Sequence, residues 1–196
     1  MKQRVALCGF FISELFVIIE MGYGVKNINM SPQSKNLFAM YARNFIFGAE
    51  DSLVSTVGLL SGIAAADVPR ATIALTGIIL IFVEAFSMAA GSFLSEYSAE
   101  EYIKRTGVSV KYSLVAGAIM FFTYFFIGFI PLLPYTIFDT NTAMIVSIVL
   151  ALISLCVLGL TSAKIFKTNL WRSSLRMFLI GGLAVGVGVM VGRLVK

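Results

Sequence analysis

Five long apolar stretches, separated by short polar connections, set the pattern of this chain. Each stretch is long enough for a membrane-spanning helix, which needs roughly 20 predominantly apolar residues. They cover about residues 44–66, 71–95, 112–137, 143–163 and 175–195. The connections are too short to hold a folded domain outside the membrane. The pattern therefore predicts an all-α membrane protein with five transmembrane helices in one domain over residues 41–196.

The first 40 residues fit this pattern less well. The apolar run from Val5 to Ile19 is short for a span and is interrupted by Glu14. We interpret residues 1–40 as an N-terminal extension, either an interfacial helix or a loosely ordered segment, with residues 26–36 as linker. A secretory signal peptide is the alternative, although no small-residue cleavage site follows the basic start.

The basic residues predict how the spans are oriented. With the N-terminus inside, twelve of the fifteen lysines and arginines fall on the inner side, and only Arg70, Arg193 and Lys196 fall outside. Cytoplasmic loops of membrane proteins carry such an excess of basic residues. We therefore expect a cytosolic N-terminus and an outer or luminal C-terminus. The same distribution accounts for the net charge of +5 without a nucleic-acid partner.

Composition supports the membrane class and excludes several kinds of chemistry. The hydrophobic fraction is 59% and the mean hydropathy is +0.94, against roughly 45–50% apolar residues in soluble domains. The chain has no histidine, which excludes imidazole metal centres and histidine-dependent triads. Cys8 and Cys156 are far apart and predict apolar packing rather than a disulfide or zinc site. We do not expect an enzyme, and an intramembrane hydrolase is a remote alternative.

Acidic residues inside the first two spans are the main candidates for function. Glu50 and Asp51 lie in the first span, and Glu84 lies near the centre of the second. A charged side chain at that depth costs at least about 2.5–3.5 kcal/mol and usually marks a site or a pathway. Glu50 has a simpler alternative, in which it reaches toward the inner headgroups.

Asp51 and Glu84 each head a stripe of polar and small residues on one helix face, given by the spacing i, i+4, i+7, i+11. The stripes are Asp51, Ser55, Gly58, Gly62 and Glu84, Met88, Gly91, Ser95. We expect the first stripe to face a symmetry mate or the second span, and not lipid. In the fifth span, Gly182/Gly186 and Gly188/Gly192 have the spacing typical of close helix packing.

The depths of these residues predict a metal site. Asp51 and Met88 each lie seven residues from the inner end of their span, which is roughly 10 Å, and Glu84 lies one turn deeper. Carboxylate oxygens with a thioether suit a divalent transition metal of intermediate softness, and the sulfur favours Fe²⁺. The candidate ligands are Asp51, Glu84, Met88 and Glu50. The alternative for Met88 is that it only fills space.

Three further acids, Glu96, Glu100 and Glu101, follow the second span on the inner side. They are candidates for a cytosolic mouth where cations enter. Glu96 and Glu100 are four residues apart on a helix and repel each other unless they are solvated or hold a cation. A solvated helix end, with Lys104 four residues after Glu100, is the alternative.

Four segments of the chain resemble the vacuolar iron transporter family. They are RNFIFGAEDSLVSTVGLLSGIAAA, VEAFSMAAGSFLSEYSAEEY, GFIPLLPY and SSLRMFLIGGLAVGVGVMVGRL, in the family's order, within about residues 41–195. The resemblance implies five spans, a homodimer with its ion path at the subunit interface, and export of Fe²⁺ or Mn²⁺ from the cytosol in exchange for protons. It puts Asp51 and Met88 on positions that line the path, and Glu84 on a family acid. The metal is then the transported substrate, and no bound cofactor is expected.

The chain departs from the family in two places. The family's G-x-N-D-G segment appears as Gly48-Ala49-Glu50-Asp51-Ser52, with an added carboxylate and one glycine fewer. Members often carry a cytosolic metal-binding domain between the second and third spans, where this chain has only about 16 residues. Glu96, Glu100 and Glu101 are a hypothetical reduced substitute for that domain.

The leading hypothesis is a divalent metal/proton antiporter in which Asp51 and Glu84 are alternately protonated and metal-bound. Its membrane would be the cell membrane in a prokaryote, or the vacuole or another endomembrane in a eukaryote. The rival is a membrane assembly or scaffold protein, whose glycines pack helices and whose acids pair with a partner subunit. The rival predicts that no metal binds.

Overall fold

The computed structural model describes residues 32–104 and 109–195, which form five helices. They are α1 (Pro32–Ala65), α2 (Arg70–Lys104), α3 (Val110–Ile137), α4 (Thr140–Ile165) and α5 (Leu170–Val195). All five are long and apolar enough to cross a membrane, and the described residues contain no strand. The predicted all-α class with five spans is confirmed. The direction of the spans in the membrane stays a prediction. Of the predicted extension over residues 1–40, residues 1–31 lie outside the described residues and residues 32–40 belong to α1.

The first two helices are longer than the apolar stretches that predicted them. The described part of α1 starts at Pro32, within the predicted linker and well ahead of the predicted first span. α2 continues past residue 95 through Glu96, Glu100 and Glu101 to Lys104. With 34 and 35 residues, each helix is roughly 50 Å long, against about 30 Å of bilayer hydrocarbon. Both helices therefore extend beyond the membrane core.

α1 is the central helix of the bundle. It packs against all four other helices, while α2 packs on α3, α3 on α4, and α4 on α5. Among the described residues, α2 and α5 share no extensive contact. The four outer helices thus surround α1 incompletely, and α1 has an open side between α2 and α5. α1 is also the most buried of the five spans, and α5 is the least.

Glycines bring α1 and α5 into close contact. A Cβ atom built on Gly62 would lie 2.7 Å from the carbonyl oxygen of Gly188, and one on Gly58 would lie 3.2 Å from that of Ala184. Any larger side chain at Gly62 would separate the helices, so small residues are needed here. This corrects the expectation that Gly58 and Gly62 face a symmetry mate or the second span, since both face α5 of their own chain.

The two glycine pairs of α5 lie in different surroundings. Gly188 and Gly192 pack against α1, as their spacing predicts. Gly182 and Gly186 have no neighbouring atom of the described chain within 4 Å of a Cβ built on them. That part of α5 is an open surface rather than an internal contact.

Two turns meet at the predicted outer end. Arg70, at the start of α2, donates a hydrogen bond of 3.0 Å to the carbonyl oxygen of Phe138 in the α3–α4 connection. Next to it, Asp139 caps α4 by accepting a hydrogen bond from the Thr142 amide. That bond, the Thr142 hydroxyl and the nearby Arg70 lower the pKa of the Asp139 carboxyl from its ordinary value. The two connections therefore lie on one side, as the count of basic residues assumes.

Candidate functional site

Two acids from neighbouring helices come together in the middle of the bundle. Asp51 on α1 and Glu84 on α2 are both partly buried, and their carboxyl groups interact electrostatically. Neither forms an ion pair with a lysine or arginine of the described ranges. The structure thus holds two carboxyl groups near each other, within apolar helices and without a cationic partner among the residues it describes.

A tyrosine from a third helix completes this group. The hydroxyl of Tyr124, on α3, lies 2.6 Å from the Ser55 hydroxyl, one turn along α1 from Asp51. Tyr124 is fully buried, and its hydroxyl interacts electrostatically with both Asp51 and Glu84. We call Asp51, Glu84, Ser55 and Tyr124 the mid-span cluster. It joins α1, α2 and α3.

Close packing of α1 on α3 places the tyrosine at this site. The Ser52 hydroxyl donates a hydrogen bond of 2.7 Å to the Tyr124 carbonyl oxygen. One turn further along α3, a Cβ built on Gly128 would lie 2.9 Å from the Ser52 oxygen. A larger residue than glycine would push the helices apart. The sequence pattern did not predict a role for Tyr124, although its hydroxyl lies within the otherwise apolar run FFTYFF and is a signal for one.

Glu50 lies in different surroundings from its neighbour Asp51. Adjacent residues on a helix point about 100° apart, and the side chain of Glu50 interacts electrostatically with Arg176 of α5 as well as with Asp51. Glu50 therefore has a cationic neighbour, whereas no lysine or arginine of the described ranges forms an ion pair with Asp51 or Glu84. Of the three intramembrane acids, Asp51 interacts with both Glu84 and Glu50, and Glu50 also interacts with Arg176.

Met88 lies one turn from Glu84, toward the predicted inner end of α2, and is partly buried. α2 contacts α3 near Ala89 and Phe93, and Gly91 lies on the opposite face of the helix. A Cβ built on Gly91 would have no described atom within 4 Å. The predicted ligand stripe of α2 is therefore open at Gly91, whereas Glu84 lies toward α1 and α3.

A second polar group lies at the predicted inner end of α1 and α2. The Ser92 hydroxyl donates to the Asn44 side-chain oxygen at 2.6 Å, and the Asn44 amide donates to Glu96 at 3.3 Å. Arg43 forms an ion pair and a hydrogen bond with the same Glu96 oxygen. We call Arg43, Asn44, Ser92 and Glu96 the inner-end cluster.

A cavity of about 510 Å³ opens beside the inner-end cluster. Its walls come from α1, α2 and α3 and include Met40, Glu96, Glu100 and Tyr112. Two of the three acids predicted at the cytosolic mouth thus face one space, while Glu101 is exposed and does not line it.

The number of acids in one place limits the kind of metal site. Within the described ranges, no three acidic or cysteine side chains form a group that could hold a metal ion. The mid-span cluster offers two carboxyl groups and two hydroxyls, with the Met88 thioether one turn away. A complete coordination shell would need ligands from water or from a second copy of the chain.

The family model and the curated relatives that match this chain point to the same family. The family model described as "VIT family" matches residues 42–109 and 105–193, which include all residues of the mid-span cluster. "Vacuolar iron transporter homolog 2" of Arabidopsis thaliana is 29% identical over 159 residues, covering 76% of this chain and 81% of that protein. "Vacuolar iron transporter homolog 3" of the same plant is 28% identical over 177 residues, covering 82% and 88%. The chain belongs to the VIT family, the family of the vacuolar iron transporters.

Proposed function

We propose that this chain is a divalent metal transporter, which exports Fe²⁺ or Mn²⁺ from the cytosol in exchange for protons. The observation that supports this best is the pair Asp51 and Glu84, two interacting acids on neighbouring spans without a cationic partner among the described residues. The names of the relatives, which are called vacuolar iron transporter homologs, support iron as the substrate. No catalytic role is proposed.

The combined charge of Asp51 and Glu84 suits both the divalent cation and the protons. Two ionised carboxylates carry the charge that one divalent cation neutralises, and two protons neutralise the same groups. Because one set of oxygens cannot hold the metal and the protons at once, binding of one ion releases the other. Moving a divalent cation outward against 100 mV costs about 4.6 kcal/mol, at roughly 2.3 kcal/mol per charge. Inward movement of protons offsets that cost.

Met88 sets the proposed metal preference. Its thioether lies one helical turn from Glu84 on the same face of α2. A sulfur ligand favours Fe²⁺ over Mn²⁺, which prefers oxygen. Glu50 contributes less to the proposed site because Arg176 lies near it.

We propose a homodimer with the ion path between its two copies. The mid-span cluster alone has too few ligands for a complete metal site, and α1 has an open side between α2 and α5. Gly91, Gly182 and Gly186 have no described neighbour within 4 Å of an added Cβ, so another helix could approach them closely. A second copy on this side would add its own carboxylates to the path.

Uptake into proteoliposomes tests the proposed function. The purified protein is reconstituted with a pH dye inside, and uptake of Fe²⁺, Mn²⁺, Co²⁺, Ni²⁺ and Zn²⁺ is compared with proton movement. We expect Fe²⁺ and Mn²⁺ uptake with proton counterflow. The Asp51→Asn variant should show neither, because the amide has nearly the same shape but cannot ionise.

The matched control is Asp139→Asn, which changes an acid in the α3–α4 connection to a residue that also caps helices well. It should transport as the unchanged protein does. Normal transport by Asp51→Asn would contradict the proposal and favour the scaffold hypothesis.

A further inference from the structure

We infer that Tyr124 is a positioning residue of the Asp51–Glu84 site, where its hydroxyl and that of Ser55 together supply one hydrogen bond to the carboxylates. The inference deepens the proposed function and rests on it. It adds to the site a neutral donor from α3, a helix that carries none of the predicted ligands.

Tyr124 is held in place at two points. Ser52 bonds its carbonyl oxygen at 2.7 Å, and Ser55 bonds its hydroxyl at 2.6 Å. The residue has no exposed surface, so its ring is closely surrounded. Both serines belong to α1, where Ser52 follows Asp51 directly and Ser55 lies four residues after it. A displacement of Asp51 relative to Tyr124 would therefore disturb one of these bonds.

The number of hydrogen atoms shows what the hydroxyl pair offers the site. Two hydroxyl groups carry two hydrogens, and the bond between Ser55 and Tyr124 uses one of them. If Ser55 donates, the tyrosine O–H is left over; if Tyr124 donates, the serine O–H is left over, one turn from Asp51. In both arrangements one donor remains, and the Tyr124 hydroxyl interacts electrostatically with Asp51 and Glu84. Neither carboxyl group accepts a hydrogen bond from another described residue, and carboxylates accept hydrogen bonds strongly when charged.

This donor has a defined role when a metal binds. A hydrogen bond to one oxygen of a carboxylate fixes the group and leaves its other oxygen directed at the cation. Such outer partners of metal-binding carboxylates typically change metal affinity or activity by about 10–100-fold when they are removed. The chemistry of the metal ligands is unchanged, but their orientation is lost.

The test compares two buried tyrosines of the same helix. Tyr124→Phe and Tyr135→Phe each remove one hydroxyl from a fully buried ring of α3. Tyr135 lies eleven residues further on, about 16 Å along the helix toward the predicted outer end. Metal uptake into proteoliposomes is measured over a range of Mn²⁺ concentrations for each variant, and the Tm of each is measured as well.

We expect Tyr124→Phe to raise the KM for Mn²⁺ by about 10–100-fold, with the maximal rate less affected. Tyr135→Phe should leave KM unchanged, even if both variants lower Tm to a similar extent. Equal effects of the two variants on KM, or an unchanged KM for Tyr124→Phe, would overturn the inference.

Ser55→Ala provides a second variant that keeps the tyrosine ring. If Tyr124→Phe fails to fold, Ser55→Ala decides: a raised KM supports the inference, and an unchanged KM contradicts it. If both fold, the double variant should raise KM little more than either single one, because the two hydroxyls act as one donor. Absence of metal uptake by the unchanged protein would instead refute the proposed function, and this inference with it.

Discussion

The mid-span cluster and the inner-end cluster both join α1 to α2 through an acid of α2. They differ in whether a basic residue neutralises that acid. At the inner end, Glu96 is paired with Arg43 and bonded by Asn44. In mid-span, Glu84 and Asp51 interact with each other, and the hydroxyls of Ser55 and Tyr124 complete the cluster. No described arginine or lysine forms an ion pair with either acid. The same helix pair thus neutralises its acid at the end and leaves its acids without a counter-charge at the centre.

The difference indicates which cluster is structural and which carries function. The side chain of Arg43 is 65% exposed, and exposed ion pairs stabilise proteins by only about 0–1 kcal/mol. An acid in mid-span is costly to retain, and nothing described at the mid-span cluster offsets that cost by pairing. We therefore expect the inner-end cluster to tolerate substitution and the mid-span cluster not to.

The largest expected difference is between Asp51→Asn and Glu96→Gln. Asp51→Asn should reduce metal uptake to the background of empty liposomes, with expression and dimerisation nearly unchanged. Glu96→Gln keeps the hydrogen bond to Asn44 and should reduce uptake only modestly. Initial rates at saturating Fe²⁺ measure both. If the two variants lose the same activity, the two clusters act together and the comparison fails.

Glu84→Gln should have the next largest effect, on coupling rather than on flux. Metal uptake should persist in part, because Asp51 still carries a negative charge. Proton counterflow should fall, because one of the two groups that exchange protons for metal has been lost. The ratio of protons to metal ions, from the pH dye and the metal content, checks this. An unchanged ratio would show that Glu84 does not take part in the exchange.

Met88→Leu should have a smaller and selective effect. The change conserves volume and costs typically under about 1.5 kcal/mol of stability where a methionine only packs. A ligand sulfur is lost as well, so Fe²⁺ transport should fall more than Mn²⁺ transport. Met120→Leu is the matched control, since Met120 is buried on α3 against Gly48. If both variants transport both metals normally, Met88 is a packing residue and the proposed preference for Fe²⁺ loses its support.

Arg43→Gln should have the smallest effect. It removes the ion pair but keeps a side chain that can hydrogen-bond to Glu96, so the free energy of unfolding should change by less than about 1 kcal/mol. The KM for metal should stay the same. A marked change in KM would mean that the inner-end cluster controls how cations reach the mid-span cluster.

The apolar pattern predicted the five helices because a spanning helix must be apolar over about 20 residues. It did not predict their ends, since helices such as α2 continue into water through good helix formers like Glu100 and Glu101. Counting residues along the two spans predicted that Asp51 and Met88 share a depth and that Glu84 lies one turn deeper. The structure brings Asp51 and Glu84 into interaction.

What a sequence pattern on one helix cannot give is the identity of the neighbouring helix. Gly58 and Gly62 have the spacing of a packing face, but the spacing is the same whether the partner is α5 or another subunit. Tyr124 was missed for the same reason. Its hydroxyl matters only because α3 places it beside Ser55, 69 positions away in the chain.

The central position of α1 has a consequence for how the protein is made. α1 is the least apolar of the five spans and carries two adjacent acids. The described helices that bury it are all synthesised after it. While the ribosome is still producing α2, the glycines Gly58 and Gly62 have no α5 to pack against. We therefore expect α1 to be the span whose insertion gains most from the helices that follow it, because its acids and low hydropathy disfavour insertion alone.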